Sequence, residues 1–246
     1  MKNKSFKKMA ILGAITTLVS MESFSTTFRC PNAALGLGNT CPVVGTSGDI
    51  KIIAISSNPP LTSNQLGDGI TADASFGNID IHASALINAS RYGISSKVYA
   101  GNPSLNYTNY IHGNFGDINA STGIYQENFG LGTIKIDGNF NNINGNSGNG
   151  IEILSGGAGN IEGNIGGSDV EIDLNGATVT AKYGGIVVGS GWNKIIDSSY
   201  KMGNITLSGN IRGITSQDFS AIYLLFSKFN ISNFDVQQSE NNKKSS

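Results

Sequence analysis

The chain has 246 residues, a formal net charge of -1 and only 13% charged residues. Disordered tails carry a high net charge and nucleic-acid-binding proteins carry a clustered basic surface, so the composition argues against both classes. Glycine is frequent, at 33 residues, and proline is scarce, at 5. Because glycine tolerates positive φ angles, this composition predicts a chain that turns often.

The N-terminal segment has the order of an export signal. Basic lysines lie between positions 2 and 8, and an apolar run follows at about residues 9–21. This run is too short to span a bilayer comfortably, and Ser23-Phe24-Ser25 then provides a small-x-small cleavage site. We predict a signal peptide at residues 1–25 and an exported chain, located at the cell surface, in the outer membrane or outside the cell. The alternative, a short N-terminal helix packed on a core, is disfavoured by the basic flank.

Two cysteines, Cys30 and Cys41, follow the predicted cleavage site. An even pair in an exported chain indicates one disulfide, and we assign residues 26–47 to an N-terminal cap that contains it. Their spacing fits neither a redox motif nor a zinc site. Arg29 stands where a lipoprotein signal needs a small residue, which disfavours a lipid on Cys30.

A small residue followed by isoleucine recurs along the chain. Successive isoleucines of these pairs are 24, 30, 27, 35 and 36 residues apart, within the range of solenoid repeats. The pairs are Gly69-Ile70, Gly93-Ile94, Gly123-Ile124, Gly150-Ile151, Gly185-Ile186 and Ala221-Ile222.

A second repeated element alternates apolar and polar residues, as a strand with one buried face does. It occurs at residues 77–81, 132–136, 169–174 and 203–207, and a third element such as Ile118-Asn119-Ala120-Ser121 precedes the next small-isoleucine pair. The expected inward residues are Ile81, Ile136, Ile172, Val187 and Leu207. The expected outward residues are Asp80, Lys135, Glu171 and Thr206.

Three short strands per repeat, joined by glycine and asparagine corners, predict an all-β fold. We expect a right-handed parallel β-helix of about six coils over residues 48–236, followed by a polar disordered tail at residues 237–246. An all-β sandwich also has short strands with turns between them and is the alternative fold.

The signal peptide and the motifs GNIDI, GTIKI and GNITL resemble the passenger domains of bacterial autotransporters. The resemblance covers roughly residues 45–235 and implies an adhesin-like or host-contact role, with a host-cell surface protein or glycan as the partner. It also implies an outer-membrane translocator barrel. Residues 237–246 are polar and lack a strand pattern, so that barrel is expected from a missing segment and the chain is expected to be a fragment of a longer passenger.

Catalytic and metal-binding patterns are weak. The aspartates in or beside strands, Asp80, Asp137, Asp173 and Asp197, are interpreted as solvated outward residues. His82 and His112 are one repeat apart and could stack, but they lack a third ligand and are interpreted as unrelated surface histidines. We predict no catalytic residue, cofactor or metal.

Tyrosines provide the main binding signal. Tyr99, Tyr107 and Tyr110 lie beside or within an insertion at residues 101–110 and are candidates for a binding loop, since tyrosines on an exposed loop suit contacts with sugars or proteins. Alternatively they cover the side of the rod. Asn119 fits an extended acceptor sequence, Asp117-Ile118-Asn119-Ala120-Ser121, for bacterial glycosylation, with a corner asparagine as the alternative.

The leading functional hypothesis is therefore a non-enzymatic surface or secreted binding module that binds no nucleic acid. A polysaccharide lyase or hydrolase on the same scaffold is the alternative, and it would require charged residues gathered on one strand face. A third possibility is a truncated, non-functional passenger remnant.

Overall fold

The computed structural model describes residues 26–30, 41–99, 106–155, 167–189, 203–224 and 228–236. Regular structure within these ranges is all-β, without a helix. The predicted signal peptide, the predicted tail and Asp197 lie outside the described residues.

The described residues form nineteen strands. They are β1 (Thr26–Cys30), β2 (Cys41–Ser47), β3 (Ile50–Thr62), β4 (Ile70–Phe76), β5 (Ile79–Asn88), β6 (Tyr92–Val98), β7 (Asn106–Phe115), β8 (Ile118–Ala120), β9 (Thr122–Asn128), β10 (Leu131–Phe140), β11 (Asn142–Gly145), β12 (Ile151–Ser155), β13 (Asp169–Asn175), β14 (Thr178–Ala181), β15 (Ile186–Gly189), β16 (Asn204–Ile211), β17 (Gly213–Ser216), β18 (Ile222–Leu224) and β19 (Lys228–Val236).

A seven-stranded parallel sheet contains the small-isoleucine pairs. Its order is β18-β15-β12-β9-β6-β4-β2, so each strand pairs with its counterpart one repeat along the chain. The predicted repeat steps are confirmed, because the isoleucines pair in register. The paired row is Ile70, Ile94, Ile124, Ile151, Ile186 and Ile222.

The second sheet has twelve parallel strands and two segments. Strand β5 belongs to both, since its first half pairs with β7 and its second half pairs with β8. The first segment continues through β7, β10, β13, β16 and β19, and the second through β8, β11, β14 and β17. The described strands pair in parallel throughout, unlike the antiparallel sheets of a β-sandwich.

Rows of aliphatic side chains fill the core. The expected inward residues Ile81, Ile136, Ile172 and Leu207 are at most 1% exposed, as predicted. Val187 was predicted wrongly: its neighbours Ile186 and Val188 are buried, whereas Val187 is only partly buried.

Stacked glycines explain the small residue before each isoleucine. A Cβ atom on Gly93 would lie 2.5 Å from the carbonyl oxygen of Gly123, and one on Gly123 would lie 2.6 Å from that of Gly150. Real Cβ atoms do not approach backbone oxygens so closely. Close approach of successive corners therefore requires glycine at these positions.

Candidate binding surface

Charged side chains form a row on the outer surface of the seven-stranded sheet. Lys97 of β6 pairs with Asp73 of β4 on one side and with Glu127 of β9 on the other. Phe129 and Tyr99 follow directly after the ends of β9 and β6, and their rings stack with centroids 5.3 Å apart. We call this surface the tyrosine face; its members are Asp73, Tyr92, Lys97, Tyr99, Tyr125, Glu127 and Phe129.

A second aromatic stack lies at the other end of the same strands. The rings of Tyr92 and Tyr125 are 4.8 Å apart, and Tyr125 precedes Glu127 by two residues. The charged row is therefore bordered by one aromatic pair on each side. Tyr99 is 41% exposed, so its stack with Phe129 presents an accessible aromatic ring.

Only some of the charged groups on the tyrosine face have a hydrogen-bond or ion-pair partner among the described residues. The Tyr125 hydroxyl donates to Glu127 Oε2 at 2.7 Å, and the Lys97 ammonium lies 5.4 Å from the centroid of the Tyr125 ring. Among the described residues Lys97 forms no ion pair, and Asp73 Oδ1 is buried without a hydrogen-bond partner. A buried acceptor without a donor costs free energy.

Desolvation shifts the titration of these groups. Burial raises the pKa of Asp73 despite the nearby Lys97, and burial likewise raises the pKa of Glu127. Burial also raises the pKa of Tyr99 to about 12. Such shifts occur where charged groups are held in poorly solvated surroundings, and they are frequent at functional sites.

A polar cluster inside the fold fixes the strands beneath the tyrosine face. Asn109 occupies a row that holds Ile79 and Ile134 in the neighbouring repeats. Its side-chain nitrogen donates to the backbone oxygens of Ser96 and Glu127, at 3.1 and 3.2 Å. These bonds connect β7 to both β6 and β9, the strands that contribute Lys97 and Glu127.

The two histidines are brought together on the outer surface of the first segment. His82 and His112 pair in register with ring centroids 4.7 Å apart, which corrects their interpretation as unrelated surface residues. His112 Nε2 lies 2.7 Å from Asp80 Oδ1, and Lys51 Nζ lies 3.0 Å from Asp80 Oδ2. Burial raises the pKa of Asp80, but the hydrogen bonds from Lys51 and His112 outweigh it, and the net direction is downward.

Tyr110 extends this histidine cluster. Its ring stacks on His112 at 4.4 Å, and its hydroxyl donates to Asp137 Oδ2 at 3.0 Å. Asp173 pairs in register with Asp137 and accepts a hydrogen bond from Asn175. The outward carboxylates of this segment therefore form local contacts with their neighbours.

The three tyrosines of the predicted loop do not converge. Tyr107 and Tyr110 lie within β7, where Tyr107 packs against the core and Tyr110 faces outward. Tyr99 follows β6 and joins the tyrosine face. Tyr99 is therefore the one residue of the three that the structure places on that surface.

Asn119 lies in a hydrogen-bonded ladder along the second segment. Its side-chain nitrogen donates to Asn88 at 2.9 Å, and its oxygen accepts from Asn144 at 2.7 Å. The nitrogen that would carry a glycan is thus already a donor. We call this row of Asn88, Asn119 and Asn144 the asparagine face.

The predicted cysteine pair is bonded in the structure. Cys30 ends β1 and Cys41 begins β2, with Cα atoms 5.5 Å apart. Strand β1 belongs to the twelve-stranded sheet and β2 to the seven-stranded sheet. The disulfide therefore links the two sheets at the edge near the N-terminal strands.

The tyrosine face was missed from the sequence, although a signal for it exists. Asp73, Lys97 and Glu127 each lie three residues after the isoleucine of their repeat, and Tyr99 and Phe129 each lie five residues after it. Equal offsets from a repeated residue place side chains in one row. Aligning the repeats would have revealed the row.

No protein-family model, curated protein or solved structure matches the chain. The part of the chain that the structure describes contains no helix long and apolar enough to cross a membrane. The same residues contain no group of three or more His, Cys, Asp or Glu side chains that could hold a metal ion.

Proposed function

We propose that this chain is an exported, surface-exposed or secreted passenger of the autotransporter type, folded as a right-handed parallel β-helix of about six coils. It acts as an adhesin-like or host-contact module and not as an enzyme. The leader at residues 1–25 and the repeated strand motifs support this proposal, as does the parallel pairing of successive repeats.

The tyrosine face is the observation that carries the binding role. It combines an accessible aromatic ring at Tyr99 with an ammonium at Lys97 that forms no ion pair with a described residue. Aromatic rings provide contact area at low conformational cost, and the polar groups provide direction. A protein or glycan on a host-cell surface is the proposed partner.

Binding to cells tests this role. The double variant Tyr99→Ala/Phe129→Ala is expected to reduce binding of the labelled chain to host cells at least tenfold. The control is Tyr183→Ala, which removes a 50% exposed tyrosine outside the tyrosine face and should bind as the wild type does. Equal binding by both variants would reject the tyrosine face as the contact surface.

Export is tested separately by mass spectrometry without reductant. We expect a mature chain that begins near Thr26, with Cys30 and Cys41 oxidised to one disulfide. Surface labelling of cells that express the intact locus should modify the chain. An uncleaved leader, or a chain protected inside the cell, would contradict the proposed location.

A second function, hydrolysis of a polysaccharide, is favoured by one feature of the same surface. Asp73 and Glu127 stand two strands apart, about 9.6 Å between their Cα atoms at ordinary strand spacing. Inverting glycosidases use two carboxyls on opposite sides of the scissile bond, one of them a general acid with a raised pKa. Burial raises the pKa of both Asp73 and Glu127.

Release of reducing ends from a panel of polysaccharides distinguishes the two functions. A hydrolase would release them, and Asp73→Asn or Glu127→Gln would abolish the release, whereas Asp173→Asn would leave it unchanged. If the wild-type chain releases no reducing ends, the hydrolase function is rejected and only the binding role remains.

A further inference from the structure

A shallow groove lies where the first segment of the twelve-stranded sheet turns into the second. Its volume is about 340 Å³, within the range of small-molecule sites. The lining includes Asn114, Asn139, Asn141, Asn175, Gly176 and Arg212. None of the described residues that line it carries a carboxylate.

Side-chain amides form one wall of this groove. Asn139 pairs in register with Asn114 and with Asn175, so the three amides stand on successive strands. Asn139 Nδ2 donates to Asn114 Oδ1 at 2.7 Å, which orients both carboxamides. A carboxamide has two donor hydrogens and two acceptor lone pairs, so each keeps capacity for a ligand hydroxyl.

Arg212 provides the only charge among the described residues of the lining. It follows β16, is exposed, and forms no ion pair with a described residue. Its guanidinium lies close to Gly176, since Nη2 is 3.8 Å from the position that a Cβ on Gly176 would take. Gly176 has a φ of +71°, a conformation that favours glycine, and a Cβ at this position would be in ordinary van der Waals contact with the guanidinium.

We propose that this groove binds a sugar that bears a carboxylate, with the carboxylate on Arg212 and the sugar hydroxyls on the asparagine amides. Guanidinium groups recognise carboxylates through two parallel hydrogen bonds. A single cation favours a monoanion over a phosphate, which carries up to two charges at neutral pH. The groove belongs to the twelve-stranded sheet and the tyrosine face to the other, so this proposal does not rest on the proposed function.

Calorimetric titration of the exported chain tests the proposal with three probes. Oligogalacturonate and sialyllactose represent the two sources of a sugar carboxylate, a polyuronate and a terminal sialic acid. A neutral galactose oligomer is the control. We expect at least one acidic probe to bind at least tenfold more tightly than the neutral one, and the stronger probe identifies the source.

Variants at Arg212 test the assignment of the site. Arg212→Gln should weaken acidic binding at least tenfold, whereas Arg212→Lys should be intermediate because it keeps the charge and loses the paired hydrogen bonds. Tyr183→Ala, which changes an exposed tyrosine outside both the groove and the tyrosine face, should bind the acidic probe as the wild type does. Thermal unfolding of each variant should match the wild type, since Arg212 is exposed and forms no ion pair with a described residue.

Three results would overturn the proposal: equal binding of acidic and neutral probes, wild-type affinity in Arg212→Gln, or no binding of either acidic sugar. Loss of acidic binding in Tyr99→Ala but not in Arg212→Gln would assign the sugar to the tyrosine face and reject the groove.

Discussion

The tyrosine face and the asparagine face stand on parallel ladders of the same kind but use their outward residues differently. On the asparagine face one residue type repeats, and Asn88, Asn119 and Asn144 bond to each other along the stack. On the tyrosine face, neighbouring strands carry different residues, and Tyr125 and Glu127 are only 6% and 8% exposed although they point outward.

The two faces therefore use the same strand geometry differently: the asparagine face repeats one residue, and the tyrosine face varies its residues. A repeated residue that bonds only to its copies stabilises the stack, as expected of a scaffold. Different residues that bury unpaired charges weaken the stack locally, since desolvating a charge costs free energy. Such a cost is typical of a surface that binds something.

The largest expected effect on stability tests the alternation of inward and outward residues on which both faces depend. Ile136→Asp places a carboxylate in a fully buried row without a partner and should lower the free energy of unfolding by several kcal/mol. Lys135→Asp changes the neighbouring outward residue and should cost less than about 1 kcal/mol. Urea denaturation of both variants measures the difference, and equal losses would contradict the inward assignment.

The inward and outward residues of a strand could be predicted where apolar and polar residues alternate, but not where adjacent residues are both apolar. In β10, Lys135 lies between Ile134 and Ile136, so only one choice of inward residues buries both isoleucines. In β15, Val187 and Val188 are adjacent and both apolar, so period two does not choose between them. The wrong prediction at Val187 follows from that ambiguity.

The next effect concerns the asparagine face. Asn119→Ala removes two side-chain hydrogen bonds and should lower stability by about 1 kcal/mol. Asn88→Ala, at the end of the ladder, removes one and should cost about half as much. Chemical denaturation compares the two; a larger loss for Asn88→Ala would contradict the ladder.

Glycopeptide mapping of the wild type decides whether Asn119 carries a glycan.

Glu127→Gln on the tyrosine face should change stability in the opposite direction. Because burial raises the pKa of Glu127, the folded state holds the proton more tightly than the unfolded state. The ionised carboxylate therefore opposes folding at pH 7, and stability rises as pH falls through the raised pKa. The carboxamide oxygen introduced by the substitution can still accept from Tyr125, so the variant should be more stable than the wild type at pH 7, by at most about 1 kcal/mol.

The control for that variant is Glu171→Gln. Glu171 is half exposed and contacts Lys135 at 3.4 Å, so its neutralisation should change stability at pH 7 by less than about 0.5 kcal/mol. Denaturation at pH 5 and pH 7 should show a smaller difference between the two pH values for Glu127→Gln than for the wild type. A loss of stability in Glu127→Gln would mean that its charge is well solvated or paired.

The tyrosine face can be predicted from the sequence only after the repeats are aligned on their isoleucines, because the repeats differ in length. The row Asp73, Lys97 and Glu127 spans steps of 24 and 30 residues, so the three positions do not recur at a fixed spacing. His82 and His112 are one such step apart, but only the register shows that their rings touch. Burial of charge depends on neighbouring side chains, which no single repeat determines.

The smallest effect is expected at Asp80 on the first segment, where the pKa shifts in the opposite direction from that of Glu127. The net pKa of Asp80 is lowered, so its contribution to stability is present above the unfolded-state pKa of about 4 and is lost as pH falls through the lower folded-state value. Because the side chain is 34% exposed, Asp80→Asn should cost no more than about 0.5 kcal/mol at pH 7. Below pH 4 the variant should lose less stability than the wild type. Lys51→Gln removes one of the two partners and should produce part of the same change. If Asp80→Asn instead follows the pH curve of the wild type, the contacts of Asp80 with Lys51 and His112 contribute nothing to stability.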